Sequence, residues 1–304
     1  MCTRNRDDVV AKAVGAALRG HDERLRLIVI DQNDDDRVVE ALRPFADDQR
    51  LRHVRLDRPG AGRARNVALS QTDAEVVCFT DDDCLVPESW ATTMTGLVRS
   101  DPTVAMVFCD VIATADDDAA DGYTPMHLTR HHGPIRSWDH HARADLLGIG
   151  AGMAIRRQAI LDLGGFDPVM GPGATFPSAD DREMAIRALL GGHAVVNTAE
   201  TAVIHLGFRA AGSDARAHSK RDHVAVGAMF AKFWRLRPAR TTAHVAAFLL
   251  ASGAHVLADS WRSRRPSGVG KLWWTVVGLW RGARHPKRVD PTVYVDNGPE
   301  AVLR

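Results

Sequence analysis

The chain has 304 residues, of which 45% are hydrophobic and 25% are charged, a composition that predicts one large globular domain with an appendage and excludes a disordered chain. With 39 basic and 38 acidic residues, the net charge is +1. The sequence contains no basic stripe interleaved with aromatic residues, so its charge pattern does not suggest a nucleic-acid partner. The four cysteines form no C-x-x-C pair and the N-terminus lacks an apolar signal segment, so we expect reduced thiols and a cytoplasmic location.

Helix and strand patterns alternate through the first third of the chain. The predicted elements are helix Val9–Leu18, strand Leu25–Ile30, strand Leu51–Leu56, helix Ala64–Ser70, strand Val76–Thr80, a helix after Pro87 and strand Val104–Val111. This order predicts an α/β fold with a Rossmann-like, mostly parallel central sheet flanked by helices. Because open sheets of this kind bind ligands beyond the carboxyl ends of their strands, the polar residues that follow each strand are the first candidates for a site.

The most informative segment is Glu75–Trp90, E-V-V-C-F-T-D-D-D-C-L-V-P-E-S-W, in which a strand pattern ends in three aspartates. Side chains alternate along an extended segment, so Asp81 and Asp83 point to one side and Asp82 to the other. Two convergent carboxylates bind a hard divalent cation, and Mg²⁺ held in this way usually bridges to substrate phosphates. The alternative is a solvated acidic turn.

A second acid, Asp31, follows the strand L-I-V-I. It could accept hydrogen bonds from a nucleotide base or ribose, or equally cap the next helix. Between the two strands lies Arg58–Asn66, R-P-G-A-G-R-A-R-N, a glycine-rich segment before a helix pattern. Such a segment favours an anion, and Arg63 or Arg65 could pair with phosphate. It is neither a Walker loop nor a complete dinucleotide fingerprint.

A third acidic motif, S-A-D-D-R-E-M-A-I-R-A-L-L-G-G, opens a helix pattern in the middle of the chain. Ser178 or Asp180 is the predicted cap, and Gly191–Gly192 closes the helix. This places Asp181 at a helix N-terminus beside the edge of the sheet. The alternative is that Asp180, Asp181 and Glu183 only complement the helix dipole.

Taken together, these motifs resemble the inverting nucleotide-sugar glycosyltransferases of family 2, which have the GT-A fold. The resemblance covers Cys2 to about Arg209. It is carried by the order of C-T-R-N-R, I-V-I-D-Q-N-D-D-D, G-x-x-x-A-R-N, F-T-D-D-D, M-A-I-R-R…G-G-F-D, the acidic pair before R-E-M-A-I-R, and V-I-H-L-G. It implies transfer of a sugar from a nucleotide-diphosphate-sugar donor to a hydroxyl of a saccharide or lipid-linked acceptor.

The resemblance also implies roles for residues on the donor side. Thr3, Arg4 and Asp31 match positions that line the nucleotide-base pocket. Arg65 matches an arginine near the nucleotide, and Asp82 matches a residue that faces the sugar or ribose.

The same resemblance implies a metal site and a catalytic base. Asp81 and Asp83 match the D-x-D pair that holds the diphosphate through Mg²⁺ or Mn²⁺, and His205 matches a histidine that completes the metal site in some members. Asp181 matches the general base that removes the proton of the acceptor hydroxyl. The chemistry fits these residue types, because an inverting transfer needs one base and a cation that offsets the charge of the leaving diphosphate.

The chain departs from the family pattern at several places. It begins within the expected first strand, the acidic pair reads Asp180-Asp181 in place of Glu-Asp, and Gly152 stands where asparagine is common. The alternative function is therefore a catalytically silent protein that binds sugar nucleotides or glycans on the same fold. A nucleotidyltransferase would need a glycine-rich loop with a lysine near the N-terminus, and the sequence has none there, so this function is not favoured.

Several histidines have a structural alternative to metal binding. The pairs His131-His132 and His140-His141 flank Trp138 without the spacing of a metal site, and this segment is predicted as a surface loop near the acceptor. His205 could equally be a hydrogen-bonded histidine at a strand end.

The last part of the chain has a different character. We predict a catalytic domain over residues 1–235, divided near residue 110 into nucleotide and acceptor parts, and a helical, Trp- and Arg-rich extension over 236–304. The apolar stretch Val245–Ala258 is shorter than the roughly 20 residues that span a bilayer. The tryptophans beside Lys and Arg in K-L-W-W-T-V-V-G-L-W-R suit peripheral contact with the inner face of the cell membrane, or equally packing on the catalytic domain or a second subunit.

Overall fold

The computed structural model describes residues 1–20, 23–114, 122–123, 126–129, 133–138, 148–207, 209–210, 213–264, 268–287 and 293–296. Its strands are β1 (Cys2–Thr3), β2 (Leu27–Asp31), β3 (Leu51–Arg55), β4 (Val76–Phe79), β5 (Cys84–Leu85), β6 (Val104–Ala113), β7 (Gly122–Tyr123), β8 (Gly133–Ile135), β9 (Met153–Arg156), β10 (Ala194–His205) and β11 (Arg209–Ala210). Its helices are α1 (Asp7–Leu18), α2 (Arg37–Leu42), α3 (Ala61–Ser70), α4 (Trp90–Arg99), α5 (Arg157–Asp162), α6 (Asp180–Leu190), α7 (Ser213–Trp234), α8 (Pro238–Ser263) and α9 (Val269–Arg284). Every helix and strand predicted for the first third of the chain is present, and the predicted α/β fold with a helical C-terminal extension is confirmed.

The strands form two main sheets that meet at the end of β1. Strands β1, β2 and β3 pair in parallel, so Thr3 and Asp31 reach the same edge. The second sheet has the order β4-β9-β6-β10-β5, with β8 also paired to β10. In it β6 and β10 are parallel, whereas β9 is antiparallel to both neighbours. A bridge between Cys2 and Asp81 joins the sheets and brings the carboxyl ends of β1, β2 and β4 together.

The core forms where the apolar runs of the sequence are buried on both faces of the sheet. Strand β6, V-A-M-V-F-C-D-V-I-A, contributes Phe108 to the core on one face and Val107 to the core on the other, and both are fully buried. Trp138 also belongs to the core, because its ring stacks on His244 of α8 with the ring centroids 4.3 Å apart. The predicted surface position of Trp138 is therefore wrong, since α8 covers it. The histidines of the same predicted loop lie outside the described residues: His131, His132, His140 and His141.

Helices α7 and α9 approach each other at backbone distance. A Cβ atom added to Gly278 of α9 would lie 2.1 Å from the carbonyl oxygen of Val224, and one added to Gly227 of α7 would lie 2.2 Å from that of Thr275. Only glycine allows this approach, since a methyl group at either position would overlap the opposite backbone. The packing joins the chain on the two sides of residue 235, where the domain boundary stays a prediction.

Buried charges anchor helix α6 to helix α7. Lys232 of α7 is fully buried, and its Nζ lies 2.7 Å from Oδ2 of Asp167 and 2.6 Å from Oε1 of Glu183. Glu183 also accepts hydrogen bonds of 3.0 and 2.8 Å from Arg187. The backbone N–H of Tyr294 donates to Asp167 at 2.9 Å, which ties the C-terminal segment to the same group. We call Asp167, Glu183, Arg187 and Lys232 the anchor network.

Candidate active site

The acidic segment after β4 is folded against the end of β10. Strand β5 pairs antiparallel with β10 so that Cys84 lies opposite His205. The N–H of Leu206 donates to the carbonyl oxygen of Asp83 at 2.7 Å, which extends this pairing. As a result, Nε2 of His205 lies 3.7 Å from Oδ1 of Asp83. Two residues that are far apart in the sequence thus meet at the sheet edge.

Potential metal ligands converge at this point. Among the described residues, Asp81, Asp83, Cys84 and His205 place their ligand atoms within 4.8 Å of one another. Burial raises the pKa of the Cys84 thiol, and hard cations such as Mg²⁺ and Mn²⁺ prefer oxygen and nitrogen ligands to sulfur. Two carboxylates and an imidazole remain, a donor set that suits Mn²⁺, whereas Mg²⁺ would use the carboxylates alone. These side chains fit a divalent cation, and the three predicted metal residues lie together.

An arginine contacts the acidic cluster from the start of α1. The guanidinium of Arg6 forms an ion pair with Asp83, and its Nε lies 3.8 Å from Oδ1 of Asp82. Burial raises the pKa of Asp82 to about 6, and the charge of Arg6 opposes this shift. Arg4, predicted beside the nucleotide, is exposed. Arg6 was not singled out from the sequence, although it is the second arginine of the motif C-T-R-N-R.

Asp31 is fully buried and already hydrogen-bonded. Its Oδ1 accepts bonds from the backbone N–H and side-chain Nδ2 of Asn33 at 2.9 and 2.7 Å, and its Oδ2 lies 3.0 Å from Nε2 of His53. Burial raises the pKa of Asp31, but the hydrogen bonds from His53 and Asn33 outweigh it and the pKa lies below its usual value. Helix α2 begins at Arg37, so Asp31 is not its cap. Contact between the base and Asp31 or the neighbouring Thr3, which is also buried, stays a prediction.

The arginines of the glycine-rich segment point to different partners. Helix α3 begins at Ala61, so Arg63 and Arg65 lie within the helix and not in a loop before it. The Nε of Arg63 donates to Asp296 at 2.7 Å. Arg65 is buried, forms an ion pair with Asp180, and lies over the ring of Phe166 at 5.3 Å from its centroid. Both guanidinium groups therefore bind carboxylates in this structure.

The start of α6 differs from the predicted capping. Its cap position is Ala179, which has a left-handed backbone with φ of 63° and offers no side-chain hydrogen bond. The hydroxyl of Ser178 donates instead to Asp222 at 2.8 Å, and Asp180 is engaged with Arg65. The prediction that Ser178 or Asp180 caps the helix is wrong, because both side chains have tertiary partners. A strained residue directly before an acidic pair marks a position where geometry is imposed by its surroundings.

Asp181 is held by backbone groups with its carboxylate partly open to solvent. Its Oδ2 accepts a hydrogen bond of 2.8 Å from the N–H of Gly150, and its Oδ1 accepts one of 2.7 Å from the N–H of Arg182. A Cβ atom at Gly150 would lie 2.1 Å from an Nη atom of Arg65, so glycine is required for the guanidinium to approach. Gly150 lies in the glycine-rich run G-I-G-A-G, residues 148–152.

Arg65 links the acidic pair to the metal-ligand cluster. Its guanidinium is paired with Asp180, and its charge also attracts the charges of Asp81 and Asp181. Burial raises the pKa of Asp180 to about 6, against the attraction of Arg65 and with the repulsion of Asp181. The site therefore combines a possible cation site, a buried arginine and a partly exposed carboxylate.

The family difference at Gly152 has a steric explanation. A Cβ atom there would lie 2.7 Å from Sγ of Cys109 and 3.1 Å from Cγ2 of Val111. A larger residue would have to move β6, so the asparagine that the family resemblance leads one to expect at this place does not fit here.

Comparison with known proteins identifies the same family as the motifs. The model described as Glycosyl transferase family 2 matches residues 1–164. No curated protein matches this chain. The predicted family and GT-A fold are thus supported by a match that covers more than half of the chain.

Solved structures share the fold at low sequence identity. The mannosyltransferase PcManGT from Pyrobaculum calidifontis, in complex with GDP-Man and Mn²⁺, is 18% identical with a TM-score of 0.59, over 93% of this chain and 85% of that one. TarS 1-349 from S. aureus, in complex with UDP-GlcNAc, is 14% identical with a TM-score of 0.57, over 75% and 64%. GalNAc-T7 with UDP, GalNAc and Mn²⁺ is 17% identical with a TM-score of 0.52, over 76% and 48%.

Proposed function

Because the chain belongs to glycosyl transferase family 2 and is therefore a glycosyltransferase, we propose that it moves a sugar from a nucleoside-diphosphate sugar to an acceptor hydroxyl in a metal-dependent, inverting step. The observation that carries this proposal is the pairing of two groups at one sheet edge. Asp81, Asp83 and His205 bring their ligand atoms close enough to hold a cation, and the charge of Arg65 attracts both Asp81 and Asp181.

The donor is proposed from the chemistry of the cluster and from the relatives. Structures of the same fold were solved with GDP-Man and Mn²⁺, with UDP-GlcNAc, and with UDP and Mn²⁺. A divalent cation held by Asp81, Asp83 and His205 would offset the charge of the departing diphosphate. Asp82, between them, is the proposed contact to the sugar or ribose. The positions of Thr3, Arg4 and Asp31 are proposed to surround the base.

Asp181 is the better candidate for the base than its neighbour. Asp180 is buried and paired with Arg65, so its carboxylate is not available to an acceptor. Asp181 is partly exposed and is oriented by the N–H of Gly150. A carboxylate oriented in this way can remove the proton of an acceptor hydroxyl as that oxygen attacks the anomeric carbon from the face opposite the diphosphate. One such base is enough for inversion.

The acceptor class is proposed as a saccharide or a lipid-linked saccharide. Retention of Asp81, Asp83 and Asp181 favours transfer over the alternative of a silent binding protein, because a binding protein has no need of the base. Which sugar and which nucleotide base the donor carries depends on pocket contacts that small changes can alter.

The experiment compares the wild type with Asp83→Asn and Asp181→Asn on UDP-, GDP- and dTDP-sugars with Mn²⁺ or Mg²⁺. We expect metal-dependent binding of one donor, loss of that binding in Asp83→Asn, and retained binding in Asp181→Asn with turnover lowered about 10²- to 10⁴-fold. Asp73→Asn, an exposed aspartate before β4, is the matched control. NMR of the product's anomeric centre tests inversion.

Three outcomes would contradict parts of this proposal. Binding of a donor without turnover on any acceptor would favour the silent alternative. Retention of the anomeric configuration would remove the role given to Asp181. Equal donor binding by the wild type and Asp83→Asn would remove the cation site from the donor pocket.

A further inference from the structure

Helix α8 presents an apolar stripe to solvent. Leu250, Leu257 and Trp261 are 74%, 73% and 87% exposed. Their spacing of seven and four residues puts them on one side of the helix, with exposed alanines such as Ala247 and Ala254 between them. The outward face of a surface helix is normally polar, so an apolar outward face is unusual.

Helix α9 also presents an apolar stripe to solvent. Val269, Trp273, Val276 and Trp280 are all exposed, at intervals of four, three and four residues. Trp234 at the end of α7 lies beside Val276 and Trp280 along a groove of about 420 Å³. Large exposed tryptophans are rare on the surface of a soluble protein and mark contact sites.

The opposite faces of both helices already pack on the protein. His244 of α8 stacks on Trp138, and Phe248 packs on Phe230 with the ring centroids 5.7 Å apart. In α9 the buried residues are Thr275, Gly278 and Gly282, which face α7. The outward stripes are therefore not needed for folding.

The same region is strongly basic. Residues 235–287 contain ten Lys and Arg residues and a single acidic residue, Asp259. Some of these charges lie directly beside the apolar stripes, since the guanidinium of Arg284 lies 4.1 Å from the ring centroid of Trp280. Arg281 and Arg240 are also exposed at the ends of the stripes.

We propose that the outward faces of α8 and α9 dock this protein onto an anionic lipid bilayer, such as the inner leaflet of the cell membrane. Apolar stripes with tryptophan, flanked by Lys and Arg, match the boundary between acyl chains and negatively charged headgroups. A second copy of the chain fits less well, because a twofold interface would place this basic surface against itself.

In this proposal α8 and α9 lie parallel to the membrane surface. By length and composition, one stretch among the described helices, Pro238–Ala258 of α8, is long and apolar enough to cross a bilayer. It is longer than the predicted 245–258, because helix α8 already begins at Pro238. A spanning helix would lose the contacts of His244 and Phe248, whereas a helix lying in the interface keeps them.

The first experiment is flotation of the purified full chain with vesicles of phosphatidylcholine alone and of phosphatidylcholine mixed with phosphatidylglycerol. We expect binding only to the anionic vesicles, weakened by salt. The double variant Trp273→Ser/Trp280→Ser is expected to bind about tenfold more weakly, since it removes two interfacial anchors. Val39→Ser, an exposed apolar residue of α2, is the matched control and is expected to bind like the wild type.

Further readouts separate this proposal from its competitors. Circular dichroism and thermal unfolding of the double variant, expected to match the wild type, show that it is folded. Absence of binding to anionic vesicles, or equal binding by the double variant, overturns the proposal. A dimer that the double variant dissociates identifies a second copy as the occupant. Protein that stays with the vesicles after alkaline extraction indicates a spanning helix instead. None of these readouts needs donor or acceptor, so the outcome is independent of the proposed transfer.

Discussion

One turn of helix α6 separates two groups of buried charges that are built in opposite ways. In the anchor network, two carboxylates face two cations, and the atoms are 2.6 to 3.0 Å apart. In the candidate site, five carboxylates (Asp81, Asp82, Asp83, Asp180 and Asp181) interact with two guanidinium groups, those of Arg6 and Arg65. The network is neutral, and the site has surplus negative charge.

The pKa shifts express this difference. Burial raises the pKa of Glu183, but Arg187 and Lys232 outweigh it and the pKa is lowered. Burial also raises the pKa of Asp82 and of Asp180. There it outweighs the opposing effect of the nearby arginines, and each pKa is raised to about 6. Buried carboxylates thus have pKa shifts of opposite sign in the two groups, because only the network supplies enough positive charge. The under-compensated group is the place where a cation lowers the electrostatic energy, which agrees with the cation site proposed there.

The largest predicted effect breaks the neutral group. Lys232→Met leaves Asp167 and Glu183 without their shared cation in a site closed to water. Removing one member of a buried charge group typically lowers the free energy of unfolding by about 3 to 5 kcal/mol. Chemical denaturation measures this loss. Lys220→Met, on the same helix but at an exposed position beside Trp274, is the control and should lose less than about 1 kcal/mol.

A stable Lys232→Met protein would contradict the comparison. It would mean that Arg187 alone neutralises Glu183 and that backbone N–H groups suffice for Asp167. The anchor would then lie in the apolar packing of α7, and the charges would be incidental to it.

A smaller effect is the opposite pH dependence of the two groups. The lowered pKa of Glu183 means that its contribution to stability is complete above its usual value of 4.5 and is lost as the pH falls through the lowered folded value. The raised pKa of Asp180 has the reverse sign, because its ionisation is disfavoured in the fold. Its contribution declines as the pH rises from 3.8 to about 6.

Urea unfolding across this pH range, with Glu183→Gln and Asp180→Asn as references, checks both signs. The wild type should lose stability relative to Glu183→Gln on acidification below 4.5. Relative to Asp180→Asn it should lose roughly 1 to 3 kcal/mol as the pH rises to 6. Slopes of the same sign for the two pairs would show that the charges of the two groups are compensated alike.

The sequence indicated the fold and the surplus of acids because both depend on local patterns. Apolar runs marked the strands, and their carboxyl ends marked Asp81 and Asp83. A separate helix pattern in the middle of the chain indicated Asp181. The sheet pairing then carried His205 to the same edge, which the family resemblance had implied but no spacing could reveal.

What the sequence did not indicate is which charges pair. Glu183 had the same alternative as Asp181, a helix-dipole role, and only the tertiary structure gives one a cation and the other a backbone N–H. Arg63 was a phosphate candidate and is paired with Asp296, more than two hundred residues away. One signal was available: Lys232 interrupts the apolar run V-G-A-M-F-A-K-F-W, and a lone lysine in such a run predicts a buried partner.

The smallest predicted effect tests the surplus of negative charge directly. Arg6 is the cation that now contacts Asp83, and its side chain is 41% exposed. Arg6→Gln removes a positive charge from beside the proposed ligands. Since a partly exposed ion pair contributes about 1 kcal/mol, Mn²⁺ alone should bind roughly fivefold more tightly to the variant. Titration of Mn²⁺ followed by its electron paramagnetic resonance signal measures this in the absence of donor.

Arg4→Gln is the matched control, because Arg4 carries the same charge two residues earlier and is exposed. It should change Mn²⁺ binding by less than a factor of about two. Weaker binding in Arg6→Gln would mean that the arginine orients Asp83 for the metal and does not compete with it. The guanidinium of Arg6 would then be a structural partner of Asp83, as Lys232 is of Asp167 and Glu183 in the anchor network. The two groups would then differ only in the part of the candidate site formed by Arg65, Asp180 and Asp181.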